Sequence, residues 1–85
     1  MEYIACAFRS RSDAVAFSAF LKSHGVNAEI ISTPKEAGVG CGLSVKTQRG
    51  MLSLIKNALR AANLKSFAGF FLVTSLGGKR FVKSI

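Results

Sequence analysis

The spacing of apolar residues switches between two periods along this 85-residue chain, and the order of the switches admits few folds. Residues 3–8 alternate, with Ile4, Cys6 and Phe8 on one side and Tyr3, Ala5 and Ala7 on the other, which predicts a strand. Ala14, Phe17, Phe20, Leu21 and His24 then recur at helical spacing. Ser10 reads as the N-cap of that helix, with Asp13 three residues on in a variant of the capping box. Gly25 supplies a left-handed residue that ends it, and Val26 the apolar contact that accompanies such an end. Residues 28–33 return to strand character and stop at Pro34, while residues 43–47 set Leu43 and Val45 against Ser44 and Lys46.

Gly50 opens a second helix, with Met51, Leu54, Ile55, Ala58, Leu59 and Ala62 as its predicted buried stripe and Lys56, Arg60 and Asn63 on its wet side. Residues 67–74 are apolar on both faces, Gly77-Gly78 reads as a two-residue hairpin turn, and residues 79–85 match as a return strand. The order β-α-β-β-α-β predicts an α+β, two-layer ferredoxin-like sandwich, one domain over residues 1–85. Its antiparallel sheet should run 4-1-3-2, with a possible extra C-terminal hairpin strand. That fold hosts many unrelated activities, so function has to come from particular residues.

Twelve Lys and Arg against four Asp and Glu give a formal charge of +8. Anionic partners follow: nucleic acid, a phosphorylated small molecule, an acidic protein surface, or the chain's own thiolate. No apolar run approaches the roughly 18–20 residues of a membrane helix. Glu2 and the lack of a basic region ahead of the first apolar run speak against a secretory signal. Two cysteines are too few for a disulfide framework or a four-ligand metal site, and one His with four scattered carboxylates leaves most acid–base and metal-hydrolase sites unassembled. The expectation is a cytoplasmic protein with reduced thiols, no metal and no bound cofactor.

The topology then brings distant residues together. The loop of residues 35–42 should lie where the first strand stops and the first helix starts, which sets Cys41 near Arg9, Ser10 and Arg11, with Lys65 close by. The helix start offers unpaired amides and a partial positive charge, Arg9, Arg11 and Lys35 full charges, and such surroundings lower a thiol pKa. Gly38, Gly40 and Gly42 permit turns that point amides inward and leave a sulfur unshielded. The plainer reading is a hairpin loop whose cysteine fills a gap. Cys6, between Ile4 and Phe8, reads as a small core hydrophobe, with a resolving thiol for Cys41 as the functional alternative. His24 reads as a helix cap rather than the base of a Cys–His pair.

From Ser32-Thr33-Pro34 through Cys41-Gly42-Leu43 to Lys46, the chain resembles the selenium/sulfur (Se/S) carrier-like protein family. Ser12-Asp13-Ala14 looks like the family's helix opening, Pro34 its strand end, Cys41-Gly42-Leu43 its hallmark and Lys46 its usual basic residue, the likeness covering roughly residues 3–75. The resemblance implies a carrier rather than an enzyme. Cys41 would hold reduced selenium or sulfur as a perselenide or persulfide, taken from a donating enzyme and passed to an acceptor such as a selenophosphate-making enzyme. Arg9, Ser10, Arg11, Lys35, Gly40, Gly42 and Lys46 are the candidate supports of the anion. The residue chemistry agrees, since a carrier needs an accessible thiolate and cationic support but no general base.

Three further readings stand beside it. A basic module for nucleic acid or an acidic protein would use the charge with no covalent chemistry. Base stacking on the central strands is poorly supplied there, because Tyr3 is the one aromatic among Tyr3, Ala5, Ala7, Ser44 and Lys46. A ligand-sensing regulatory domain shares the fold without a specific residue to support it. The small outer face around Ala5 and Ala7 suggests pairing with a second copy, unless the terminal strand covers it.

Overall fold

The computed structural model describes residues 1–38 and 42–85; Val39, Gly40 and Cys41 lie outside the described residues. Strand β1 (Glu2–Phe8) leads to helix α1 (Arg11–Ser23), then β2 (Glu29–Ser32) and β3 (Leu43–Thr47). Helix α2 (Leu52–Ala62), β4 (Phe67–Leu76) and β5 (Lys79–Ser84) complete the chain. The five strands form one antiparallel sheet of order β2-β3-β1-β4-β5, the expected sandwich with its extra strand. Because β3 runs antiparallel to both β1 and β2, the latter two run parallel, and the end of β2 lies beside the start of α1.

Helix α1 begins as its residues dictate. The Ser10 hydroxyl accepts from the Asp13 amide at 3.4 Å. At the other end the amides of Gly25 and Val26 donate to the carbonyls of Lys22 and Leu21, with Gly25 at φ 77°. His24 caps this end, its Nδ1 2.9 Å from the Phe20 carbonyl oxygen and its ring stacked on Phe20. Thirteen residues place that imidazole about 20 Å along the helix from Ser10.

The core lies between sheet and helices. Ile4, Cys6 and Phe8 of β1 pack with Phe17, Leu21, Val45 and Ile55, all essentially sealed from solvent. Helix α2 enters through a 3-10 turn at Arg49–Met51 instead of starting at Gly50. Its stripe holds but for one residue: Met51, Ile55, Ala58, Leu59 and Ala62 pack on the core together with Leu52, while Leu54, expected inside, is 45% exposed. Gly77 and Gly78 take φ of 59° and 80°, the two positive values that a tight two-residue hairpin requires.

On the outer face of the sheet the covered alternative holds, with the strap after β2 adding to the terminal strand. Ala5 and Ala7 are fully buried in a second cluster with Phe71 and Val73, around which Tyr3, Ala37, Ala68 and Val82 pack. The chain after β2 does not hang free. Pro34 is buried, and a 3-10 turn at Lys35–Ala37 lays Ala37 on that cluster and rests against β5. The bare alanine face that suggested a second copy is therefore already covered. Among the described residues no helix is long and apolar enough to cross a membrane.

Candidate functional site

The loop after β2 returns to the start of α1 at Gly42. Gly42 is the fixed point, because a Cβ there would collide with the Phe8 carbonyl oxygen and come within 3.6 Å of Arg9 Cα. Only a residue without a side chain permits this approach to backbone. The Gly42 carbonyl accepts from the Thr33 amide at 3.1 Å, and Leu43 pairs with both Phe8 and Ser32. The Thr33 and Ser44 hydroxyls, 2.8 Å apart, add a second tie under the strap.

The helix start itself is built through a residue that the sequence pattern does not flag. The Ser10 amide donates to Ser66 Oγ at 3.1 Å, and that hydroxyl donates to Asp13 Oδ2 at 2.6 Å. The capping box is thus closed through a hydroxyl more than fifty residues away in sequence. The Ser66 amide also reaches Asp13 Oδ2, and the Arg9 amide donates to the Ser66 carbonyl at 2.9 Å. No spacing rule finds Ser66. Its signal is its place just before β4, which borders β1 at the same corner.

Among the expected site residues, Arg9, Ser10, Arg11 and Gly42 gather at this corner, with Arg9 and Arg11 exposed. The first-turn amides of α1 have no partner within the helix. Asp13 brings one carboxylate, engaged by Ser66, against the charges of Arg9 and Arg11. Lys65 is exposed next to Ser66. Lys35 sits on the strap turn, its carbonyl accepting from the Gly38 amide. Lys46 stands three residues along β3 from Leu43, about 10 Å away by strand rise, with Nζ 4.8 Å over the Tyr3 ring. Cys41 and Gly40 lie outside the described residues.

The other thiol is sealed. Cys6 is wholly buried between Val45 and Phe70, and burial pushes its thiol pKa far up. It is inert as a nucleophile, which fits the core role expected of it. His24 has its own partners at the far end of α1. Among the described residues there is no group of three or more His, Cys, Asp or Glu that could hold a metal ion.

The strap is pinned from the far edge of the sheet. Arg80 of β5 grips the Glu36 carboxylate with two hydrogen bonds, at 2.9 and 2.7 Å. Those bonds hold Glu36 well below the usual carboxylate range, at about 2.

A protein-family model described as "Putative Se/S carrier protein-like" matches residues 3–68. Neither a curated protein nor a solved structure matches the chain.

Proposed function

The chain belongs to the Se/S carrier protein-like family, and from that premise we propose that it carries reduced sulfur or selenium on Cys41. The observation that carries the reading is the packing of Gly42, the residue bonded to Cys41, against the Phe8 carbonyl and Arg9 at the head of α1. That corner combines two exposed arginines with the N-terminus of a thirteen-residue helix, whose Arg11 and Ser12 amides lie ahead of its own carbonyl ladder. Such a setting favours a thiolate over a thiol, and equally favours the anion of a persulfide or perselenide.

Loading is a transfer between sulfurs. The Cys41 thiolate attacks the terminal atom of a donor persulfide, the donor S–S bond breaks, and the donor leaves as its own thiolate. Unloading repeats the step in the other sense: an acceptor nucleophile takes the terminal atom and Cys41 returns to thiolate. No net oxidation occurs, and no general base is needed. Perselenide follows the same course, with selenium as the terminal atom. The implied partners are a donating enzyme and an acceptor such as a selenophosphate-making enzyme.

Mass spectrometry tests the reading. After incubation with selenite and a thiol, the native chain should gain selenium at Cys41, and Cys41→Ser should not. Equal adduct on Cys41→Ser ends the assignment. Alkylation of Cys41 should likewise proceed at pH values below the free-thiol range of about 8.5, and a dependence centred at or above it removes the electrostatic basis.

A further inference from the structure

The C-terminal hairpin carries a surface that the family match, ending at residue 68, leaves aside. All four acidic residues fall in the first 36 positions, whereas residues 37–85 contain eight Lys and Arg and no Asp or Glu. Cross-strand partners share a face of the sheet. Phe81 opposite Thr74 and Lys83 opposite Leu72 therefore lie on the helix side, and Lys79 opposite Leu76 lies with them. Helical cover gives out here, since Leu76 is 72%, Phe81 55% and Ile85 40% exposed. On the other flank, Lys56 of α2 sets Nζ 5.8 Å over the ring of Phe70, the next residue along this face from Leu72. Glu2, the carboxylate on this face, is already held by Arg49 at 2.6 Å and by Thr74 at 3.0 Å.

We propose that this face binds single-stranded nucleic acid, a base stacking on Phe81 while Lys79, Lys83 and Lys56 hold flanking phosphates. An exposed ring between cations two residues away on either side is the arrangement that stacking and phosphate neutralisation require. A duplex hides its base faces from such a ring. Lysine is depleted in protein–protein interfaces, so its place on both sides of Phe81 favours nucleic acid over an acidic protein. The surface is separate from the α1 corner and does not depend on carrier chemistry.

Fluorescence anisotropy of the full chain with labelled oligouridylate and oligodeoxythymidylate, in about 50 mM salt, tests it. Binding should fall with salt, and Lys83→Gln should reduce the log–log slope by about 0.7, one single-strand phosphate. Phe81→Ala should weaken binding by about 5-fold or more. Phe81→Leu keeps the apolar bulk but removes the π face, and should weaken it too. Cys41→Ser should bind as the native chain does, so loss of the carrier reading and loss of this one are distinguishable. No binding at that salt overturns the proposal. So does equal affinity for duplex, equal competition by polyglutamate, or indifference to both Phe81 variants.

Discussion

Gly42 shows how one missing side chain sets a site. The atom facing its absent Cβ is the Phe8 carbonyl oxygen, part of a paired strand with no freedom to yield. Gly42→Ala should therefore cost about 1–3 kcal/mol, as overpacking does, and lower Tm by several degrees at about 4–8 °C per kcal/mol. Gly38 makes the contrast: it has open space around it but a φ of 70°. Gly38→Ala should cost only about 1 kcal/mol of backbone strain. Thermal unfolding ranks the two, and equal losses would mean that Gly42 is not wedged. Under the proposed function, Gly42→Ala should also lower the yield of chalcogen adduct more than Gly38→Ala does. The second prediction at this scale concerns the buried thiol. A thiol reagent should label Cys6 only after unfolding in denaturant, because the sulfur is sealed and its ionisation opposed by burial. Labelling of Cys6 in the folded chain as fast as Cys41 would contradict this.

Among the elements, the strap between β2 and β3 departs most from a sequence reading. Its tie to β5 is the Glu36–Arg80 pair, exposed and so worth little in stability. Its effect is positional and depends on pH. The folded pKa of Glu36, about 2, lies below its unfolded value. The contribution of the pair is therefore complete above an ordinary Glu pKa of about 4.3 and is lost as pH falls through the folded value. NMR titration should place the Glu36 midpoint near 2, and Arg80→Ala should return it towards the ordinary range. An unchanged midpoint in Arg80→Ala would sever the strap from β5. Strands, α1 with both its caps and the Gly77-Gly78 turn were legible because each rests on local chemistry: period, cap residue, positive φ. Ser66 was not, since its partners Ser10 and Asp13 are more than fifty residues away. The cover over Ala5 and Ala7 was legible only in part: the terminal strand supplies Val82 as its length allowed, but Ala37 sits in a segment with no period to show which way it faces. Leu54 was the one misplaced member of the α2 stripe: it stands at the flank of that face, and spacing alone does not tell it from Leu52, which packs on the core in its place.

Across the whole molecule, charge sets a conflict that magnitudes can decide. Eight net positive charges sit on a body with a radius of gyration of 11.8 Å. Attraction comes from two described ion pairs, Arg49–Glu2 and Arg80–Glu36, both partly exposed. Such pairs give about 0–1 kcal/mol each, and salt weakens them. Repulsion among the unmatched cations acts over a Debye length of about 30 Å at 0.01 M salt but only about 8 Å at 0.15 M. At the lower salt that length exceeds the molecule's radius, so every cation feels the others; at the higher it falls below it. Screening should then remove more repulsion than attraction. Tm should rise with sodium chloride over this range, and Lys83→Glu, which places an acid among Lys79 and Lys56, should show a higher Tm at low salt and a smaller rise. A Tm that falls with salt would mean that the two pairs outweigh the net charge. The same variant should abolish oligonucleotide binding at the hairpin, because the repulsion that costs stability there is the attraction proposed for phosphate.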